Sequence, residues 1–135
     1  MAQMIPMAIA AYSAYSQNQN ANSNANVMRN EAKATWQQGV EAENYQRRAG
    51  REAMGRSAAA IGQAGIGTGG TAAAEMDQAQ TNNELDALNA RYKGIFTAYG
   101  YTQEADNYKR KAQQALAAGA LNVGGSYLKS SGFGE

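Results

Sequence analysis

Cysteine and histidine are both missing from this chain. Their absence removes disulfides, thiolate nucleophiles, the usual zinc ligand sets and the commonest neutral-pH proton carrier. Proline is nearly missing too. Pro6 is the single one, so everything after it is free of the strongest helix breaker. Large core residues are scarce. One Trp, two Phe and few Leu, Ile or Val leave an apolar share of 44% that is mostly alanine. Alanine buries little area, so a compact monomer of 135 residues built on it would be marginal. No charge of either sign dominates. A formal charge of +1 supplies no global field to hold nucleic acid. The apolar stretch Met4–Ala14 has no basic residue before it, a poor match to a secretory signal. It is also too short for an ordinary transmembrane helix.

What is present favours helix. Ala, Gln, Glu, Lys, Arg and Met are abundant, and β-branched residues are sparse. Charge is laid out in blocks. Met1–Met28 is uncharged, Arg29–Arg56 is charged, Ser57–Ala74 is uncharged, Glu75–Lys111 is charged, and Ala112–Leu128 is uncharged again. The middle uncharged block holds Gly62, Gly65, Gly67, Gly69 and Gly70, a density that ends a helix. Thr71 then reads as an N-cap, with Glu75 in the first turn favouring the helix dipole.

These signals predict an all-α fold: an elongated antiparallel hairpin of two long helices that assembles into an oligomeric ring or tube. The expected order is an apolar segment over 1–19, a first helix over 20–64, a glycine turn over 65–70, a second helix over 71–118 and a Gly-rich segment over 119–135. The Asn/Gln/Ser-rich run Gln17–Asn26 fits either a non-helical link or a continuous helix, because its composition favours caps and turns. Gly94 and Gly100 are expected to weaken the second helix. Each helix is expected to measure roughly 60–70 Å at ~1.5 Å per residue. Leu85, Leu88, Tyr92, Ile95, Phe96 and Tyr99 recur at helical spacing and read as the packing stripe of the second helix. Val27, Trp36, Val40, Tyr45, Ala49, Met54, Ala58 and Ile61 give the first helix a looser stripe. A hairpin brings both uncharged ends to the same pole.

Most candidate chemistry fails its context. Gly65–Gly70 matches the letters of a G-x-G-x-x-G nucleotide loop, but an Ala-rich helical segment precedes it where a strand is required. Glu41/Glu43 and Glu84/Asp86 are paired carboxylates two residues apart, which do not face each other on a helix. No catalytic residue, metal ligand or cofactor site is assigned, and the chain is expected not to be an enzyme. Arg47, Arg48, Arg51 and Arg56, and then Lys109, Arg110 and Lys111, form basic clusters. They read as solvated surface and intersubunit salt bridges, or as contacts to a passing phosphate backbone. Tyr92, Phe96 and Tyr99 could stack bases but at this spacing read as hairpin core.

The ends are the least ordinary features. Ile5, Met7, Ile9, Tyr12 and Tyr15 near the start, and Leu116, Gly119, Leu121, Val123 and Leu128 near the finish, combine apolar and small residues without charge. Small residues at Ala115, Gly119, Ala120 and Gly124 suit close helix packing, in lipid or in a protein oligomer.

The wording of the chain resembles that of internal virion proteins of short-tailed, T-seven-like bacteriophages. The matching segments are IPMAI at 5–9, QNQNANSNAN at 17–26, IGQAGIGTGGT at 61–71, NELDALNARYK at 83–93 and AYGYTQEADNYKRK at 98–111. The resemblance spans nearly the whole chain and is one of layout and low-complexity wording. It implies a structural protein stored in the capsid near the portal and ejected with or before the genome. Such proteins form a DNA-translocation channel across the host envelope, the smallest being associated with the outer membrane. The implied partners are other copies of the chain, other internal virion, portal or tail proteins, host outer-membrane lipid, and DNA held non-specifically in transit. A static head-to-tail or portal-associated fitting with no membrane role is the competing reading, and a soluble nucleic-acid-binding helical module a third.

Overall fold

The computed structural model describes residues 4–65, 67 and 69–130, with side-chain surroundings for all of these except 4–7 and 130. Expectations for the side chains of Ile5 and Met7 therefore lie outside the described residues. Two helices, α1 (Met4–Gln63) and α2 (Thr71–Ser130), are joined by one turn and packed against each other. Among the described residues there is no strand. The all-α hairpin read from the sequence is the observed architecture.

Both helices run further than their composition suggests. Helix α1 begins at Met4 rather than near residue 20. Pro6 falls in its first turn, where backbone N–H groups have no intrahelical acceptor, so the missing N–H costs no bond. The Asn-rich run is continuous helix. Its side chains bond one another and the neighbouring helix instead of breaking the backbone ladder. Asn22 Nδ2 donates to Asn18 Oδ1 at 3.0 Å, and Asn18 Nδ2 donates to the Ala112 carbonyl at 3.0 Å. Helix α2 passes unbroken through Gly94, Gly100, Gly119, Gly124 and Gly125.

The turn works through two glycines. Gly65 (φ 68°) and Gly70 (φ 70°) both occupy the left-handed region, which a side chain disfavours. At the end of α1, Ala64 N–H donates to the Ala60 carbonyl at 3.0 Å and Gly65 N–H to the Gly62 carbonyl at 3.3 Å. At the start of α2, Ala74 N–H donates to the Gly70 carbonyl at 3.2 Å. Gly70 rather than Thr71 thus holds the capping position, and Glu75 falls just past the first turn.

The helices divide into two compact units, one of Ala32–Tyr99 and one of the residues up to Glu31 with those from Gly100 onward. In the first unit the covered positions include Ala32, Thr35, Gly39, Glu43, Gly50 and Met54 on α1, and Met76, Asn83, Ala87, Gly94 and Ala98 on α2. In the second unit they are Ala14, Asn18, Ala21, Ala25 and Met28 against Tyr101, Ala105, Tyr108, Ala112, Ala115 and Gly119. In the second unit the steps alternate between four and three residues, as a coiled-coil seam requires, and in the first they are of three, four or seven. The fully covered positions are nearly all small: Ala25, Ala32, Ala87, Ala98, Ala105 and Ala112, with Gly39, Gly50, Gly94 and Gly119. Among the described residues no large side chain is wholly buried.

The expected packing stripe is therefore corrected. Leu85, Tyr92, Phe96 and Tyr99 are exposed, and Leu88 and Ile95 are half-buried. Leu85 and Tyr92 stand two positions before Ala87 and Gly94, which is about 200° around a helix. They point away from the seam. Helix α1 explains why. Its Val27, Trp36 and Tyr45 follow one another at nine-residue steps, about two and a half turns, so successive ones lie on opposite sides. No row of large residues on α1 matches the row on α2, whereas its alanines and glycines do match. Val27, Trp36, Tyr45 and Ala58 of the looser stripe are likewise exposed, and Val40, Ala49, Met54 and Ile61 half-buried.

The seam is tightest where Gly39 crosses Gly94. A methyl group on Gly39 would lie 2.9 Å from the Gly94 Cα and 3.2 Å from the Arg91 carbonyl. One on Gly94 would lie 2.6 Å from the Gly39 Cα and 3.1 Å from the Thr35 carbonyl. All four neighbours are backbone atoms, which cannot step aside as a flexible side chain does. Gly100, by contrast, has open space around it. Gly94→Ala should destabilise the hairpin by about 1–3 kcal/mol through overpacking, while Gly100→Ala should stabilise it by up to about 1 kcal/mol through helix propensity. Urea unfolding followed by circular dichroism at one chain concentration measures both. Equal signs for the two would sink this account of the crossing.

Candidate functional site

Besides the packing stripe, the sequence points to two groups of residues, and the fold treats them differently. Those at the two chain ends come together. Residues up to Glu31 and residues from Gly100 onward form one unit. Gly119 faces Ala14, whose Cβ occupies the space a side chain at Gly119 would need. Val123 is half-buried. Ile9, Tyr12, Tyr15, Leu116, Leu121 and Leu128 remain exposed. Of the small residues Ala115, Gly119, Ala120 and Gly124, only the first two are covered. The ends thus supply both a close-packed seam and an uncharged exterior bearing large side chains.

The basic residues are dispersed. Lys109, Arg110 and Lys111 are consecutive, so they fan out at about 100° to one another. The Arg110 guanidinium donates to the Asn107 side-chain oxygen at 2.6 Å, and Lys111 Nζ lies 5.4 Å from the Tyr108 ring centroid. Arg48, Arg51 and Arg56 are exposed on α1. Arg47 is drawn away from any phosphate by carboxylates. It donates to Glu84 across the hairpin and to Glu43 one turn earlier on its own helix, at 3.0 and 2.9 Å. The bonds to Glu84 and then Glu43 raise its pKa above the ordinary arginine value, so it is a permanent cation.

Glu43 is the residue that sequence reasoning passed over. Read as half of an idle carboxylate pair with Glu41, it is, among the described residues, the one charged residue that is buried, at 7% exposure. Its two oxygens are divided between the helices. One accepts from Arg47 of α1, and the other accepts from Arg91 of α2 at 3.5 Å. Arg47, Glu43, Glu84 and Arg91 form a chain of alternating charge across the seam. A signal for it was available in the four-residue spacing of Glu43 and Arg47, which places them on one face. A buried carboxylate without such partners would be costly, so the network disfavours any register that separates Glu43 from Arg91. An alanine seam tolerates sliding by one heptad far better, because its positions are alike. A further ion pair, Arg29 with Asp106 at 3.9 Å, is exposed and contributes little.

Chemically this arrangement positions helices rather than transforming a ligand. An open groove beside the network is lined by Arg47, Gly50, Arg51 and Met54 of α1 and by Gln80, Asn83 and Glu84 of α2. It pairs no nucleophile with a base. Among the described residues no three His, Cys, Asp or Glu side chains converge as a metal site.

Glu43→Ala should lower stability by about 1–3 kcal/mol, since it removes the acceptor that both arginines share. Glu52→Ala, an exposed control on the same helix, should stay within about 0.5 kcal/mol. Chemical denaturation at one chain concentration compares them, and an equal effect would show that the network contributes nothing. Comparison of the chain with protein-family models, with curated proteins and with solved structures finds no match.

Proposed function

We propose that this is a structural, homo-oligomeric protein of a phage particle, ejected with the genome and contributing to the channel that carries DNA across the host outer membrane. The observation that carries the assembly part is the inversion of the usual packing. The hairpin covers alanine and glycine and leaves Ile9, Tyr12, Tyr15, Leu116, Leu121 and Leu128 exposed around its uncharged ends. Exposed apolar side chains of this size, gathered on uncharged ends, suit an interaction surface. The ejection and channel steps rest on the resemblance of the sequence to internal virion proteins. In this reading the chain resides near the portal before infection and in the host envelope afterwards. Helical hairpins stand side by side around an axis, and their ends form the tightest subunit packing or the zone that meets lipid. Portal, tail and other internal proteins are the expected neighbours. DNA is touched in transit through dispersed arginines and lysines rather than through a shaped site.

One observation favours the competing static fitting. Among the described residues no helix is long and apolar enough to cross a membrane by itself. A membrane-crossing role therefore requires several hairpins to combine their ends. Leakage of dye from liposomes separates the two readings. Full-length protein should release dye, and a chain lacking Met1–Ser16 should lose most of that activity. Equal leakage from both removes the role of the segment. No leakage from either, with the protein still in the particle after genome release, leaves the static fitting.

A further inference from the structure

The row of large residues on α2 is spaced for a helix, yet α1 does not cover it. Leu85, Leu88, Tyr92, Ile95 and Tyr99 follow at alternating three- and four-residue steps, the repeat of a coiled-coil seam. Phe96 lies beside Tyr92, their ring centroids 6.5 Å apart, so the aromatic centre of the row is already packed within one chain. We infer that this row is a self-association face, and that it pairs with the same row of a second copy running antiparallel about Tyr92.

Three features select a second copy as the occupant. The first is symmetry. Leu85 and Tyr99 lie seven residues either side of Tyr92, and Leu88 and Phe96 lie four residues either side. An antiparallel copy pivoted at Tyr92 therefore sets Leu85 against Tyr99 and Leu88 against Phe96. Tyr99 and Phe96 each meet a leucine, and Tyr92 meets its own counterpart at the pivot. Two-fold pairing of one patch with itself is the commonest way for chains to close an assembly. The second is area. Leu85, Tyr92, Phe96 and Tyr99 are 54, 72 and 61% exposed for Tyr92, Phe96 and Tyr99 respectively, and 54% for Leu85. Side chains of this class carry about 150–250 Å² each when aromatic, which leaves on the order of 500 Å² on one copy. Two copies face to face would bury on the order of 1,000 Å², the lower bound of a specific interface. The third is charge. No carboxylate, guanidinium or ammonium belongs to the row, and of the two cations beside Tyr92, Arg91 and Lys93, the first is matched by Glu43 of its own chain.

The pairing goes beyond the proposed function. It rests on that reading only in taking the chain to associate with itself, and it holds whether or not the assembly meets lipid. The absence of natural cysteine makes the geometry directly testable in the full chain. Under mild oxidation Tyr92→Cys should form a disulfide-linked dimer. Leu85→Cys and Tyr99→Cys should each link poorly alone and efficiently when mixed. Sedimentation velocity should show that Tyr92→Glu with Phe96→Glu weakens association by about thirtyfold or more, as loss of two aromatic anchors does. Tyr45→Glu, exposed on α1, should leave association unchanged. Efficient linking of Leu85→Cys with itself, no preference for the mixed pair, or unchanged association of the double variant overturns the inference. If the double variant loses helix content, the cysteine pairings decide alone. A monomeric wild-type chain also overturns it. Failure of the membrane reading appears separately, as absence of liposome leakage from a chain whose cysteines pair as expected.

Discussion

Backbones meet at Gly39 and Gly94 with no room for a methyl group between them. That approach governs the rest of the unit around it. It needs alanine or glycine at the neighbouring seam positions, and Ala32, Ala87, Ala98 and Gly50 supply them. Dispersion between close backbones replaces the burial of large side chains as the source of cohesion. Cohesion of that kind is modest, because each alanine withdraws little area from water. It is also poorly specified along the axis, since one alanine resembles the next. The charged chain from Arg47 through Glu43 to Arg91 answers the second weakness. It penalises registers in which the buried carboxylate loses a partner. Close approach and a single charged crossing thus divide the labour between proximity and alignment.

The same economy leaves the large residues outside. A hairpin that spent its leucines and tyrosines on its own seam would have few left to present to another molecule. Here Tyr92, Phe96 and Tyr99 on one unit, and Tyr12, Tyr15, Leu116 and Leu121 on the other, face outward. Such surfaces suit a protein whose stability is completed by association, where partner binding adds to the weak cohesion of the chain alone. The arginines and lysines are placed differently. They are spread around both helices, and the best positioned of them is occupied by carboxylates.

Much of the fold could be read from the residue order. The glycine density at 62–70 located the turn, and the lack of proline after Pro6 allowed helices on either side. The ends of the helices were less legible. The sequence places the helix ends near residues 20 and 118 and leaves the Asn-rich run open between link and helix, because local propensity disfavours Asn and Gly in a helix. Cross-helix bonds such as Asn18 to the Ala112 carbonyl, and contacts such as Ala14 against Gly119, override that preference. The seam was misassigned for a related reason. Hydrophobic periodicity weights large residues, and Leu85 through Tyr99 form the more conspicuous stripe. The alanine stripe has the same period but a weaker signal. Which stripe is used depends on what the facing helix presents.

The sequence by itself determined the helical class, the place of the turn and the absence of cysteine and histidine. Those are local or compositional properties, set by backbone freedom at glycine and by which functional groups exist. Only the tertiary structure decided which face of α2 is covered and that Glu43 sits between two arginines. It likewise decided that Gly94 is a contact rather than a weakness. Each of these turns on a residue distant in the chain: Gly39 for Gly94, Arg91 for Glu43, and the unmatched sides of α1 for Leu85, Tyr92 and Tyr99. Packing is a relation between two surfaces, and one helix read alone carries only half of it.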